Sequence, residues 1–552
     1  MVQIVRIANE FTTLHSAERI GAKAANLARM AALGLPVPPA FVLPVELCSA
    51  VVAGDSHAEG HLLDALAQGI TFLENATGKR FGDARRPLLV SVRSGAAQSM
   101  PGMLATVLDV GCTSEAVRGL VRLTGNPRFA WDCRRRFLEG YAEIVLGLDP
   151  ATFAVSLADV MVEEAAKNDR DLDGEALERV ASTYQALIEK HNRELCDDAA
   201  EQLTRAARAV YHSWMGERAR LYRRLENLDH LTGTAVTVQA MVFGNTGLTS
   251  AAGVAFSRDP STGSPRPVID VLFDAQGEDI VSGRRTPENE DAIVRSLPAV
   301  AGELRQVLQR LEHVFGDVQD VEFTIEAGRL WILQTRAATR TPRAALQITI
   351  DLVHEGLIAP EEGLRRLDNL DLEALAHTRL VGADNPIVHG IGASAGIAIG
   401  RAAFDSTSAE RLAHSGEPVI LIRPDTSTAD VAGFAVSSGI VTALGGRTAH
   451  AALVARQMGK PCVVGCNDIE VDVAARRAQF GDVTVNEGDW ISIEGNSGSL
   501  YLGRHDVVIE RPHAELAEVE HWRAAAETAG ARKSAAAINK NSKIAPCPAA
   551  SP

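Results

Sequence analysis

The sequence predicts a multidomain protein of mixed α/β and α+β class. Three observations lead there. The chain has 552 residues, room for about three to four domains at ~150 residues each. Apolar residues make up 46% and charged residues 23%, the balance of soluble globular proteins. Strand-like apolar runs and helical periodicities both recur along the chain, so neither an all-α nor an all-β reading fits.

The elements follow in order. GAKAANLARMAALGLPVPPAFVL (21–43) reads as a helix, a Gly-Leu-Pro turn and a strand. PLLVSVRSGAAQSMPGMLATVLDVG (87–111) reads as a strand, a Gly/Ser/Pro-rich loop and a second strand. Residues 134–229 are mostly helical, with charged faces and few breakers. Strand signals return over 234–336, in TAVTVQAMVFG, VIDVLFDAQG and DVQDVEFTIEAGRLWILQTR. Residues 1–343 are therefore assigned to one domain and 344–385 to a short helical linker. A compact α/β pattern fills 386–505: strands in EPVILIRPDT, GIVTALGG and KPCVVGC, a helix in AALVARQMG, and a closing hairpin in NEGDWISIEGNSGSLYLG. Residues 506–552 hold one helix at 513–528 and, from about 530, a tail of small residues and lysines expected to be disordered. No fixed-period repeat occurs.

Several function classes recede. No run of ~18 apolar residues exists, so no membrane partner is expected. MVQIVRIANEFTTLHSAERI lacks a basic region leading into an apolar stretch, so it is not read as a secretory signal. The seven cysteines are scattered and odd in number, which suits free thiols in a reducing cytoplasm. Cys462 and Cys466 form a C-x3-C pair that nothing nearby completes into a zinc site; a structural role is expected. The formal net charge of −15 argues against a nucleic-acid backbone as partner. It does not exclude nucleotides, whose phosphates need only a local positive pocket.

One histidine stands out. In GGRTAHAALVARQMGKP (445–461), Gly445-Gly446 ends an apolar strand and lets the chain turn. Thr448 is the expected N-cap of a helix over about 449–458, stopped by Gly459 and Pro461. His450 then lies in the first helical turn, where free N–H groups and the positive dipole end gather. That field disfavours imidazolium and leaves a neutral nucleophilic nitrogen. The same N–H groups suit a phosphoryl group carried on the ring. A lone histidine at a helix start is more often structural; the surrounding motif makes the signal specific.

GGRTAHAALVARQMGKPCVVGC resembles the phosphohistidine segment of the phosphoenolpyruvate-utilising enzymes. Within that set the rest of the chain is similar to pyruvate phosphate dikinase. SVRSGAAQSMPGMLATVLDVG, MVFGNTGLTSAAGVAFSRDPSTG, DAQGEDIVSGRRTP and DVQDVEFTIEAGRLWILQTRAATRT carry the likeness from about residue 15 to 528. The resemblance implies an ATP-grasp-like nucleotide-binding domain over 1–343 and a swivelling phosphohistidine domain over 386–505. It implies ATP as substrate and Mg2+ as cofactor.

The residue chemistry agrees. A polyphosphate needs cations, backbone N–H groups and magnesium. Lys23 and Arg93 are the expected phosphate cations, and the loop bearing Gly95 and Gly102 brings backbone close to phosphate oxygens. Asp320 and Glu322 share a strand face, as do Gln334 and Arg336 on the return strand. A three-residue turn at Ala327-Gly328-Arg329 sets all four on one side; a two-residue turn puts Gln334 and Arg336 on the other. The resemblance implies convergence, with Asp320, Glu322 and Gln334 near the metal and Arg336 beside Arg93 in catalysis. It also places Asp270 on the nucleotide wall, where the family usually has glutamate, and matches Arg135 in FAWDCRRRF to a family arginine. Other positions depart from the dikinase pattern: Ala97, Gln98, Ala105, Arg447 and Ala449.

The dikinase's third domain, a pyruvate-binding (β/α)8 barrel of ~250 residues, has no counterpart in the 49 residues after Gly503. The expectation is an ATP-dependent phosphotransferase that phosphorylates His450 and passes the group to an acceptor, pyruvate or a separate barrel-bearing protein, with inorganic phosphate as a further partner. A homodimer is compatible with this. The competing expectation is a non-catalytic or regulatory phosphate carrier with a degenerate nucleotide domain.

Overall fold

The structure is a computed structural model that describes residues 3–8, 12–98, 100, 103–281, 285–372, 375, 377–382, 385–426 and 430–541. Its contacts define two compact units. The first comprises Met1–Gly253, Phe273–Gly277 and Val321–Arg336; the second comprises Val254–Leu272, Glu278–Asp320 and Ala337–Pro552. Among the described residues no helix is long and apolar enough to cross a membrane.

In the first unit five antiparallel strands lie in the spatial order Val5–Ile7, Ala40–Leu43, Ala235–Ala240, Val90–Gly95, Thr106–Val110. Ala235–Ala240 is buried at every position, as a central strand covered on both faces must be. The helix Ser56–Thr77 packs on this sheet. Asp55 caps its start by accepting from the His57 and Ala58 amides, and Gly78 ends it in the left-handed conformation. Gly69 on that helix lies against the Phe41 ring; a Cβ there would stand 2.4 Å from ring carbons. A Gly69→Ala change would therefore require the helix or the Phe41 ring to shift. Phe41, Val90, Val92, Val236, Phe129, Phe137, Tyr141 and Tyr211 share one core. Each full burial of such a side chain contributes roughly 1.5–3 kcal/mol.

In the second unit eight strands form a mixed sheet in the order Val388–His389, Ser499–Leu502, Trp490–Glu494, Ile397–Ala403, Val419–Arg423, Gly439–Thr442, Cys462–Val464, Ile391–Ser394. The four strands from Ile397–Ala403 to Cys462–Val464 run parallel. Alternation sorts their side chains: Ile420, Ile422 and Val441 join one apolar layer, and Val419, Leu421 and Ile440 the other. The second layer is closed by Ala451, Ala452 and Ala455 of the helix His450–Gln457. Their small size lets that helix approach the sheet closely.

The segments entering and leaving this α/β body pair with each other, His377–Val381 against Asp506–Glu510, as one antiparallel ribbon. The helices Pro342–His354 and Pro360–Leu367 share a core with Val519 and Trp522. Arg258, nearly fully buried, ties the unit together through Glu312 and Glu355 at 2.7 and 2.5 Å. The last helix runs from His513 to Asn541, through part of the segment that the sequence suggests is disordered. Alanine and lysine are strong helix formers, which favours its continuation. Residues 542–552 lie outside the described residues.

Candidate active site

The first unit gathers Lys23, Arg93, Gly95, Gln334 and Arg336 around one cleft. Lys23, Asn26, Ser94, Gly95, Gln98 and Arg336 line its mouth, and Lys23, Arg93, Thr237, Gln239 and Gln334 line an adjoining recess. Close backbone approach builds it. Gly21, at φ 78°, sits where a Cβ would be 2.1 Å from the Gly95 carbonyl oxygen. The Ala22 amide donates to the Ala96 carbonyl at 2.9 Å, and the Gly95 amide to Thr234 Oγ1 at 3.0 Å. Asn26 Nδ2 donates to the Thr335 carbonyl at 3.0 Å and so ties the Lys23 helix to the return strand.

The electrostatics are those of an anion site held partly discharged. Arg93 Nη2 stands 3.7 Å from Glu322 Oε2. Arg93 Nε is buried without a hydrogen-bond partner among the described residues. Burial pushes Lys23 down to about 8; Arg93 and Arg336 push the same way, and Glu322 opposes them. Lys23 keeps an exposed surface on the cleft wall although protein crowds its ammonium. Water therefore screens part of that effect.

The hairpin turn has two residues, Ala327 at φ 49° and Gly328 at φ 78°, between the strands Gln319–Glu326 and Arg329–Ala337. An unbroken ladder from such a turn would put Gln334 and Arg336 on the face opposite Glu322, yet Gln334 shares a recess with Arg93, whose Nη2 stands 3.7 Å from Glu322. Convergence is achieved around Lys23, within electrostatic reach of both Glu322 and Arg336. Asp320 is buried two residues before Glu322. Gly102 lies outside the described residues.

Two predicted residues are engaged elsewhere. Arg135 is buried and bonds Asp132 Oδ1 at 2.7 Å through Nη2, with Glu139 and Asp169 at 3.3 and 3.4 Å. It does not line the Lys23 cleft. Asp270, 2% exposed, accepts from the Arg447 amide and from Arg447 Nη1, each at 2.9 Å. Gly446 makes this approach possible: a Cβ there would lie 2.5 Å from Pro287 and 3.1 Å from Asp270 Oδ2. No local signal marks this pair, whose members are 177 residues apart.

His450 is the first residue of the helix His450–Gln457. The N-cap position falls to Ala449, which offers no side-chain bond, and not to Thr448. Thr448 Oγ1 is instead buried without a partner among the described residues. The physical reason is the turn itself: the Ala449 amide donates back to the Gly446 carbonyl, which moves the helix start one residue on. The N-cap residue thus offers the first-turn N–H groups no side-chain acceptor. His450 Nε2 is likewise buried without a hydrogen-bond partner among the described residues. Burial lowers the proton affinity of the ring, and Asp430 opposes this. The Phe434 ring lies 6.0 Å away, tilted by 48°. Behind the loop, buried Arg456 donates to the Arg447 and Ala393 carbonyls. Sequence reasoning missed Gly21, Asp430, Phe434 and Arg456. Gly21 and Arg456 stand inside the motifs; Asp430 and Phe434 carry no local pattern.

Comparison with known proteins agrees with this arrangement. The family described as "Pyruvate phosphate dikinase, AMP/ATP-binding domain" matches residues 56–301 and 290–356. "PEP-utilising enzyme, mobile domain" matches 415–498, the stretch that carries His450. A pyruvate, phosphate dikinase of Rickettsia conorii is 43% identical over 496 residues, covering 89% of this chain and 56% of the relative. One from Clostridium symbiosum is 41% identical, with 88% and 56% covered. The chloroplastic pyruvate, phosphate dikinase 1 of Arabidopsis thaliana is 40% identical, with 91% and 53% covered. The chain spans about half the length of the curated relatives it matches. A family match across more than half of the residues, with two motif-bearing regions in family order, shows that the chain belongs to the pyruvate phosphate dikinase family.

Proposed function

We propose that the chain is an ATP-dependent phosphotransferase that loads His450 with a phosphoryl group. The observation that carries this reading is the state of the imidazole: Nε2 is buried and unpartnered among the described residues, and burial favours the neutral ring. In the tautomer with Nε2 unprotonated, its lone pair attacks phosphorus in line. The N–P bond forms as the P–O bond to the leaving nucleotide breaks, and the electron pair departs on the nucleotide's phosphate oxygen. AMP is the proposed leaving group when the ring attacks the β phosphorus, which leaves a pyrophosphoryl group on His450; transfer of its terminal phosphoryl group to inorganic phosphate, with cleavage of the bridging P–O bond and release of pyrophosphate, leaves the phosphohistidine. The open N–H groups of the first helical turn stabilise the transferred group.

The proposed nucleotide domain is 1–343, joined by the linker 344–385 to a phosphohistidine domain at 386–505, with 506–552 following. Lys23, Arg93 and Arg336 neutralise the polyphosphate, and the Gly95–Gly102 loop offers backbone donors. Glu322, Gln334 and Asp320 are the proposed Mg2+ donors. One or two carboxylates and an amide oxygen fit this ion, which takes its other ligands from phosphates and water. Bound there, Mg2+ neutralises charge on the phosphate oxygens. Asp270 and Arg135 are proposed nucleotide contacts on resemblance alone; a nucleotide would have to replace their present partners. Pyruvate and inorganic phosphate, the substrates in the relatives' names, are the proposed acceptors, pyruvate through a barrel-bearing chain. A cytoplasmic homodimer completes the reading. Lys23, Arg93 and Gln334 lining one cleft, with Glu322 3.7 Å from Arg93, disfavour a non-catalytic carrier.

The test is incubation with Mg2+ and ATP labelled at the β or γ phosphorus, followed by mapping of acid-labile phosphate. Label on His450 is expected. Absence of label there, with ATP bound, overturns the proposal.

A further inference from the structure

The motif around His450 ends in Gly459-Lys460-Pro461, and neither fold nor proposed chemistry has given Lys460 a task. Its ammonium donates to three backbone carbonyls: Phe434 at 2.7 Å, Ala435 at 2.6 Å and Ser437 at 2.7 Å. These carbonyls close the short helix Val431–Val436, whose last C=O groups have no helical partner. An ammonium has three N–H donors, and here each finds one orphan. A cation at a helix C-terminus is also favoured by the dipole.

What Lys460 joins matters more than how well it is bonded. Its own backbone is locked to the histidine helix. Gly459 takes the left-handed conformation at φ 65°, and the Lys460 amide donates back to the Ala455 carbonyl at 2.9 Å, closing that helix as a Schellman cap does. His450 stands at the other end of this helix, ~12 Å away for eight residues. The capped helix Val431–Val436 carries fully buried Phe434, whose ring meets the His450 ring, and it starts after Asp430, the charged group with a resolved effect on that ring. The contacts form a closed circuit: imidazole, histidine helix, Lys460, carbonyl cluster, Phe434, imidazole.

We infer that Lys460 is a positioning residue for His450: by binding three carbonyls at the end of Val431–Val436 it holds the Phe434 ring against the imidazole. Lys460 touches no reacting atom. It sets the cover over the ring, and cover is the larger influence on its proton affinity. Without the brace the Phe434 and Ala435 carbonyls lose their ammonium donor, the short helix loosens, and the ring gains solvent. This inference rests on the proposed role of His450 only for its functional meaning; the brace itself is geometry within one domain.

The experiment uses the full chain without nucleotide, with ring-labelled histidine. The NMR titration midpoint of His450, assigned by loss of its signal in His450→Gln, is compared in wild type, Lys460→Met and Lys460→Arg. Lys460→Met is expected to raise the midpoint toward the ordinary histidine value of ~6.5, because the ring loses cover. Lys460→Arg keeps charge and bulk but cannot aim its planar fork at three converging carbonyls; a smaller rise is expected, and it decides the matter if the methionine variant does not fold. An unmoved or lowered midpoint, even with a lower melting temperature, overturns the inference and leaves Lys460 a structural cap. If the wild type takes no label from ATP, the functional proposal fails while the titration still decides the role of Lys460.

Discussion

Replacing Glu322 by alanine separates a site residue from a structural one. In the structure Glu322 contacts Arg93 at 3.7 Å, with side chains 24% and 22% exposed. At an effective dielectric of ~20 the bare attraction is about 4 kcal/mol. The distance exceeds a hydrogen bond and both groups remain partly hydrated, so the net loss of stability is held to ~1 kcal/mol. That is a melting shift of about 2–4 °C for a domain of this size. The effect on chemistry is larger by the proposed reading. Loss of a metal donor removes several kcal/mol of charge stabilisation, about 100-fold or more in the rate of His450 labelling at 1.4 kcal/mol per decade. A second effect follows from Lys23. Glu322 is the group that raises its proton affinity against burial and two arginines, so the variant should lose activity at a lower pH than wild type. Labelling rate against pH, with thermal melting as control, reads both. A large fall in melting temperature with undiminished labelling would refute the assignment and make Glu322 part of the scaffold.

Other outcomes are expected. His450→Ala abolishes acid-labile labelling and leaves ATP affinity within about twofold, because the cleft residues lie in the other compact unit; calorimetric titration and label mapping check it. ATP affinity falls as pH rises through and above about 8, the value to which burial and the two arginines push Lys23 before its exposed surface moderates them; Lys23→Met should remove that fall, and an unchanged pH profile in the variant would exclude Lys23 from the phosphate site. Asp270→Ala removes two charge-assisted bonds to Arg447, each worth about 1.5–3 kcal/mol. Hydrogen exchange of the Arg447 amide should speed up by roughly 10–100-fold.

Much of the second unit was legible because its signals are local. The runs VILIR, GIVT and CVV became parallel strands, and the helix between them begins within one residue of its expected start. The misplaced N-cap shows the limit. Thr448 has the right chemistry, but a backbone turn from Ala449 to Gly446 took the position that a side-chain cap would have filled. The hairpin at 320–336 turned on Ala327, a non-glycine at positive φ, which sequence patterns rarely reveal. Arg135 illustrates a different failure. Its motif neighbours Asp132 and Glu139 lie one helical turn away on the same face, so local charge pairing competes with any ligand and could have been read as such.

The two sites answer opposing chemical demands. A polyphosphate needs concentrated positive charge, whereas an attacking imidazole must stay unprotonated. Placing cations beside the histidine would serve neutrality, but a bound phosphate would then favour imidazolium, and so weaken the nucleophile as the substrate arrives. The chain avoids this by using burial to keep His450 neutral, with Asp430 as the resolved charged influence on the ring. The cations Lys23, Arg93 and Arg336 belong to the other compact unit. Burial does not change sign when a phosphate approaches, so it goes on opposing imidazolium through binding. The Phe434 cover, and hence Lys460, thereby has a purpose that a surface histidine at a helix start would not require.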